Sequence, residues 1–283
     1  MPRSVFRKVR AAGLLALVGF APARVAAQPI LLEIRPTPGD TLHLRLEQMV
    51  EMKGTTRVGK RDSTMTMSTS MAILARAIIL SADSTGARVL TVTDSVAVIG
   101  SAAPKAASQE RSRRDLQGSR VEMRVLPDGS SEIVSDPSTL TNELRSLVAQ
   151  MPATLPRTPV HVGERWSRVV TVPIEAQGGI ATTASLKTTF RFDSLSKNRE
   201  IAYVSLRGEL SRTAMDSASG KSGVEMTGTI KGGMTIDRKR GWMTDSRAVI
   251  TLKSVLPAAR GGRAYPMHFN LTITQRMRAL DKR

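Results

Sequence analysis

Apolar and polar residues alternate with a period of two over long stretches of this chain, the mark of β-strands with one buried and one solvated face. Leu42, Leu44, Leu46, Val50 and Met52 alternate with His43, Arg45, Glu47 and Glu51. The same pattern sets Ile180, Ala184, Leu186, Phe190 and Phe192 against Thr183, Ser185, Lys187, Arg191 and Asp193. It recurs in Val224, Met226, Ile230, Met234 and Ile236, and again in Phe269, Leu271, Ile273 and Met277. Several of these runs exceed ten residues, where a strand usually has about five or six. Long strands in sequence predict an antiparallel meander.

Turn chemistry separates the runs, because Pro presets one turn dihedral and Gly supplies positive φ at another. Pro127-Asp128-Gly129, Asp237 to Gly241, Asp83-Ser84-Thr85-Gly86 and Ser196-Lys197-Asn198 are each placed between two strands. Ser101–Gln117 and Asp216–Gly223, small and polar, read as mobile connections. One helix is predicted over 137–151, with Asp136 as N-cap, Pro137 at the first helical position and Pro152 ending it. Leu140, Leu144, Leu147, Val148 and Met151 form its apolar stripe. The predicted fold is therefore mainly β: a long-stranded antiparallel curved sheet, a half-barrel or open barrel, with one central α-helix. The strand runs on either side of the helix read as two related halves, 30–135 and 159–280, or as a chance similarity within a single β-rich domain of residues 28–283.

A curved sheet of long strands needs something in its concave face, either the helix or an apolar ligand. The helix stripe reads most simply as core packed on one sheet face; its second reading is a lid over a cavity. On the second reading the ligand-lining candidates are Leu140, Leu144 and Leu147 from the helix with Phe190, Phe192, Met226 and Met234 from the strands. Methionine on such faces suits adaptable packing against an acyl chain.

The N-terminus changes the compartment. Arg3, Arg7, Lys8 and Arg10 precede an apolar run from Ala11 to Phe20 and the small-residue site Val25-Ala26-Ala27, the layout of a secretory signal peptide over residues 1–27. The apolar run is too short to span a bilayer, which takes roughly 20 residues. Cleavage after Ala27 would lower the basic residues from 42 to 37 against 24 acidic ones, and the charge from +18 to +13. With no later apolar stretch of about 18 residues, the mature chain is expected in the periplasm or outside a bacterial cell.

Composition then removes whole classes of chemistry. With no Cys among 283 residues there is no disulfide scaffold and no Cys-ligated metal. His43, His161 and His268 are scattered, without the paired spacing of a zinc site. No nucleophile elbow occurs. Ser194-Leu195-Ser196-Lys197 matches a serine acyl-enzyme pattern by letters but falls in a turn, and Gly220-Lys221-Ser222 lacks the glycine and strand that should precede a phosphate loop. No enzyme, metal or cofactor is expected. Basic charge fits anionic envelope polymers as partners. Aromatics at 3% argue against a nucleic-acid stacking platform and against the girdles of a membrane barrel.

The export signal, the Cys-free mature chain, the two strand sets and the Pro-rich step into Val162-Gly163-Glu164-Arg165-Trp166 together resemble a family of uncharacterised secreted bacterial proteins. With the Gly232–Trp242 hairpin they cover most of residues 30–280, and the organisation is similar to the half-barrel carriers of lipoproteins and lipids in the cell envelope. The resemblance implies a fold and binding of a lipid or amphipathic ligand, and transfers no functional residue. The expected function is thus a non-catalytic binding protein; the alternative is an envelope interaction module without a ligand pocket.

Overall fold

In a computed structural model the chain is described over residues 28–58, 61–100, 110, 113–114, 116–134, 154–175, 181–212, 225–256 and 266–280. The expected signal peptide, 1–27, and the expected helix, 137–151, with Leu140, Leu144 and Leu147, lie outside the described residues.

Alternation of side-chain type becomes eleven strands in one antiparallel sheet. They are β1 (Thr41–Val58), β2 (Arg61–Asp83), β3 (Gly86–Gly100), β4 (Arg120–Val125), β5 (Ser131–Ile133), β6 (Arg165–Glu175), β7 (Ala181–Leu195), β8 (Ile201–Arg212), β9 (Glu225–Asp237), β10 (Trp242–Leu256) and β11 (Met267–Leu280). The four turns expected from Pro, Gly, Asp and Asn chemistry all connect neighbouring strands, and all lie at one end of the sheet. The order is β5-β4-β3-β2-β1-β11-β10-β9-β8-β7-β6, so each part of the chain forms a meander and the two meet where β1 pairs with β11. The curved sheet is unclosed: β5 and β6 are its two edges.

What draws those edges toward each other is a pair of straps under the turn end. Ile30 and Val160 exchange backbone hydrogen bonds of 2.8 and 3.0 Å, which ties residues 28–36 to residues 154–160. The first strap also donates from Ile34 to the Pro127 carbonyl (2.9 Å) and from Arg35 to that of Gly241 (2.8 Å). On the other strap, the amides of Thr154 and Leu155 donate to the Asp128 carbonyl at 3.0 and 2.9 Å. Trp166 Nε1 donates to the Thr154 carbonyl (2.9 Å) and Arg168 Nη2 to that of Leu155 (2.7 Å). The turn beside one edge strand is thereby joined to the other edge strand.

The straps are apolar where they face the sheet, and the core forms there. Leu32, Leu155, Phe192 and Ile236 are fully buried, in one cluster with residues of β1, β2, β3, β4 and β8. Register shifts at Ile79/Ser81, Phe192/Ser194 and Met243/Asp245 fall near this end, where bulges sharpen the local bend. Gly241, with φ +60°, has to be glycine: a Cβ there would sit 2.0 Å from the Arg35 carbonyl oxygen.

Asp128 holds the junction through its side chain as well. Its carboxylate accepts from the Ser130 amide (3.1 Å) and hydroxyl (2.6 Å) and from Arg157 Nε (3.1 Å). Burial alone would raise its pKa, but these hydrogen bonds and the Arg157 charge outweigh it and hold the carboxyl below the usual range. A depressed folded pKa contributes stability that is fully present above the unfolded value of about 3.9 and is lost as pH falls through the folded one. Asp128→Asn is therefore expected to lower the unfolding free energy near neutral pH by about 1–3 kcal/mol. In urea titrations at a series of pH values, the gap to the wild type should close as the pH falls below about 4.

Candidate functional site

The main core cluster lies in the strapped half of the concave face. The cross-strand row Phe192, Val204 and Met234 is buried, as are Ile73 and Val96 further along it. Moving away from the straps, burial falls at most inward positions: one row on, Gln48 faces Gln275 between Ala248 and Met71. The next rows contain Ile230, Ile250, Ile273 and Val50, then Leu210, Leu252, Leu271, Met52 and Met67, all half-buried or partly so. Beyond them Met226, Ser254, Phe269 and Gly54 lead across to Met65, which is 53% exposed. Full burial of one such side chain is worth about 1.5–3 kcal/mol relative to exposure, so these rows leave part of that stabilisation unused.

The face is drawn inward by missing β-carbons. A Cβ on Gly228 would lie 2.8 Å from the Thr251 carbonyl oxygen and 2.4 Å from Leu252 Cδ2, and Gly208 and Gly232 meet neighbouring strands as closely. Glycine within a strand marks a sharp bend or a close approach of backbones, and these three place that bend in β8–β10. At the β6 end of the same face, Arg168 points inward with Thr188 opposite it. Its Nη2 binds the strap and its Nε is buried without a partner among the described residues, leaving a donor beside the apolar rows.

Of the residues expected to line a ligand, Phe192, Phe190 and Met234 are taken up by the core, at 0%, 4% and 5% exposure. Phe190 also stacks on Trp166 at 5.7 Å between ring centroids. Met226 alone of the four strand candidates lies in the half-buried region. The isoleucines and leucines around it carry the same alternating signal, and only their distance from the straps distinguishes them from core.

The three histidines do not gather at one site. His161 is exposed in a turn, where its amide donates to Glu164 (2.8 Å), the main cause holding that carboxyl low. His43 and His268 belong to the outward face. Ser196 Oγ, in the turn between β7 and β8, accepts from the Ile201 amide (3.0 Å), a structural role. No group of His, Cys, Asp or Glu among the described residues could hold a metal ion, and no described helix is long and apolar enough to cross a membrane. On the outer face a trough of about 310 Å³ is lined by Asp193, Tyr203, Ser205, Asp245, Arg247 and Arg276, with the Ser205 hydroxyl donating to Asp193 at 3.1 Å.

If the glycines set the curvature, Gly228→Val should cost about 1–3 kcal/mol by overpacking. Urea unfolding would read this as a lower midpoint, with β-sheet circular dichroism retained.

Residues 138–243 match a family of unknown function, DUF6263. That stretch contains both Val162–Trp166 and Gly232–Trp242, the segments on which resemblance to an uncharacterised family was expected. None of the curated proteins is significantly similar. Among solved structures, DynF from the dynemicin biosynthesis pathway of Micromonospora chersina is similar at 9% identity, over 95% of this chain and 92% of its own, with a TM-score of 0.16. A domain described as that of an outer membrane lipoprotein-sorting protein from Vibrio parahaemolyticus shares 12% identity over 83% of each chain, also at 0.16. A DUF1329 family protein from Desulfovibrio piger shares 11% over 82% of this chain and 85% of its own, at 0.12. Similarity at these scores says nothing about the ligand. The chain is thus similar over residues 138–243 to a family whose function is unknown.

Proposed function

We propose that this chain is an exported, non-catalytic binding protein of the bacterial envelope that holds an apolar or amphipathic, lipid-like ligand on the concave face of its sheet. One observation supports the reading: beyond an inward pair of glutamines, Gln48 facing Gln275, isoleucine, leucine and methionine recur on the concave face for several rows, and there they are only half-buried. A sheet that needed nothing more than its own core would not return to isoleucine, leucine and methionine after that polar pair. Pockets for small ligands are lined in this way, by apolar side chains with a few placed polar groups. Arg168, with its free Nε, supplies a donor for the polar end of an amphipathic molecule. Export is supported by the charged, apolar and small-residue order of positions 3–27.

Val249 and Ile250 are adjacent but face opposite sides of the sheet, Val249 being 44% exposed on the outside. They make a matched pair for a test with cis-parinarate, a fatty acid whose fluorescence rises in apolar surroundings. The wild-type protein is expected to enhance its emission. Ile250→Glu should weaken binding by about tenfold or more, a cost of 1.4 kcal/mol or above, and Val249→Glu should leave it within about twofold. Because Ile250→Glu could unsettle the sheet, Ile250→Ala serves as a milder companion with a smaller loss in the same direction. No enhancement by the wild type, or equal losses in the two glutamate variants, would refute the concave site.

A further inference from the structure

The outer face carries a line of cations that becomes visible only in the strand register. Arg165 on β6 lies directly opposite Arg191 on β7, Arg207 on β8 opposite Lys231 on β9, and Arg247 on β10 opposite Arg276 on β11. Diagonal neighbours join these pairs: Arg191 faces Ser205, two residues before Arg207, and Lys231 faces Val249, two residues after Arg247. Six consecutive strands therefore contribute one basic residue each, all exposed, to a row crossing the sheet. At about 4.8 Å between strands the row extends roughly 24 Å.

Like charges directly opposite each other destabilise a sheet, and here the pairs are only partly neutralised. Asp193 approaches Arg191 at 3.8 Å and Asp245 pairs with Arg276 at 3.1 Å. Arg165, Arg207, Lys231 and Arg247 have no ion-pair partner among the described residues. Glu209, two residues from Arg207, faces Lys187. In the middle of the row Ser205 and Gly233 are short, and the trough of about 310 Å³ opens there, with Arg247, Arg276 and Asp245 on one side and Asp193 on the other.

We infer that this row is a binding track for a flexible linear polyanion bearing carboxylate or phosphate groups, such as an acidic polysaccharide of the envelope. Arginine engages either group bidentately, and an anion bridging two facing cations relieves their repulsion. The track runs around the outer curve of the sheet, across the strands; a flat bilayer would touch such a surface at only part of it, whereas a flexible chain follows it. A single-stranded nucleic acid would need a series of exposed aromatics for its bases, and Tyr203 is the one aromatic at the trough.

The test measures binding of the full chain to alginate, a linear polyuronate, with phosphatidylglycerol vesicles and a single-stranded oligonucleotide as competing probes. Alginate should bind with an affinity that falls by about tenfold or more between 50 and 200 mM salt. Arg207→Glu with Arg247→Glu should weaken binding by at least about tenfold. Lys53→Glu with Lys253→Glu changes net charge equally but lies off the track, and should weaken it by less than about threefold. The first double variant also converts two repulsive pairs into attractive ones, so its thermal midpoint should hold or rise, which separates lost binding from lost folding. Equal losses in the two double variants, tighter binding to vesicles or to the oligonucleotide, or no binding of alginate would each overturn the track.

Discussion

An open sheet of eleven strands has nothing in its own hydrogen-bond ladder that fixes how far it curls. That degree of freedom is removed by the two straps at the turn end, whose mutual bridge at Ile30 and Val160 spans the interval the ladder leaves open. Everything else follows from where they lie. They bring the turn after β4 to β6, they supply Leu32 and Leu155 to the core, and they determine which part of the concave face is packed. Asp128 concentrates the link, because its carbonyl and its carboxylate both hold the second strap or the residues beside it.

The two faces of the sheet solve different problems. Inside, glycines at 208, 228 and 232 remove side-chain bulk so that strands can bend inward, and the cost is a thinner core there. Outside, long arginine side chains spread over a surface whose area grows with curvature. Glu47 shows how that surface is balanced where it is balanced: burial tends to raise its pKa, but hydrogen bonds and charge from Arg45 and Arg278 hold it low. Toward β6–β10 cations face one another across neighbouring strands.

Much of this was legible in the chain because parity is local. Alternation located β1, β7, β9 and β11, and Pro127-Asp128-Gly129 and Asp237 to Gly241 located two hairpins. The pairing of β1 with β11 was not legible, since nothing in either strand's periodicity names a partner more than two hundred residues away. Parity also says which face a side chain takes and not how deep it lies. Phe190, Phe192 and Met234 share a face with Ile250 and Leu252, yet the straps cover the first group and not the second. Ile30, Leu32 and Ile34 gave an alternating signal too, but so short a run has no local mark of its role as a strap. The basic track is the same case: its residues are scattered in sequence and become a row only through register.

The meeting of β1 with β11 has a consequence for how the molecule assembles. Each meander is built from neighbours in sequence and can zip up early, but the seam between them closes a loop of most of the chain, and long-range pairings of this kind are slow. Until the seam forms, β1 and β11 each expose a full-length unpaired edge, the kind of edge that invites pairing with another molecule. The chain is most exposed to misassembly in the interval before its two ends find each other, and a chaperone shielding the β1 edge would act at that point.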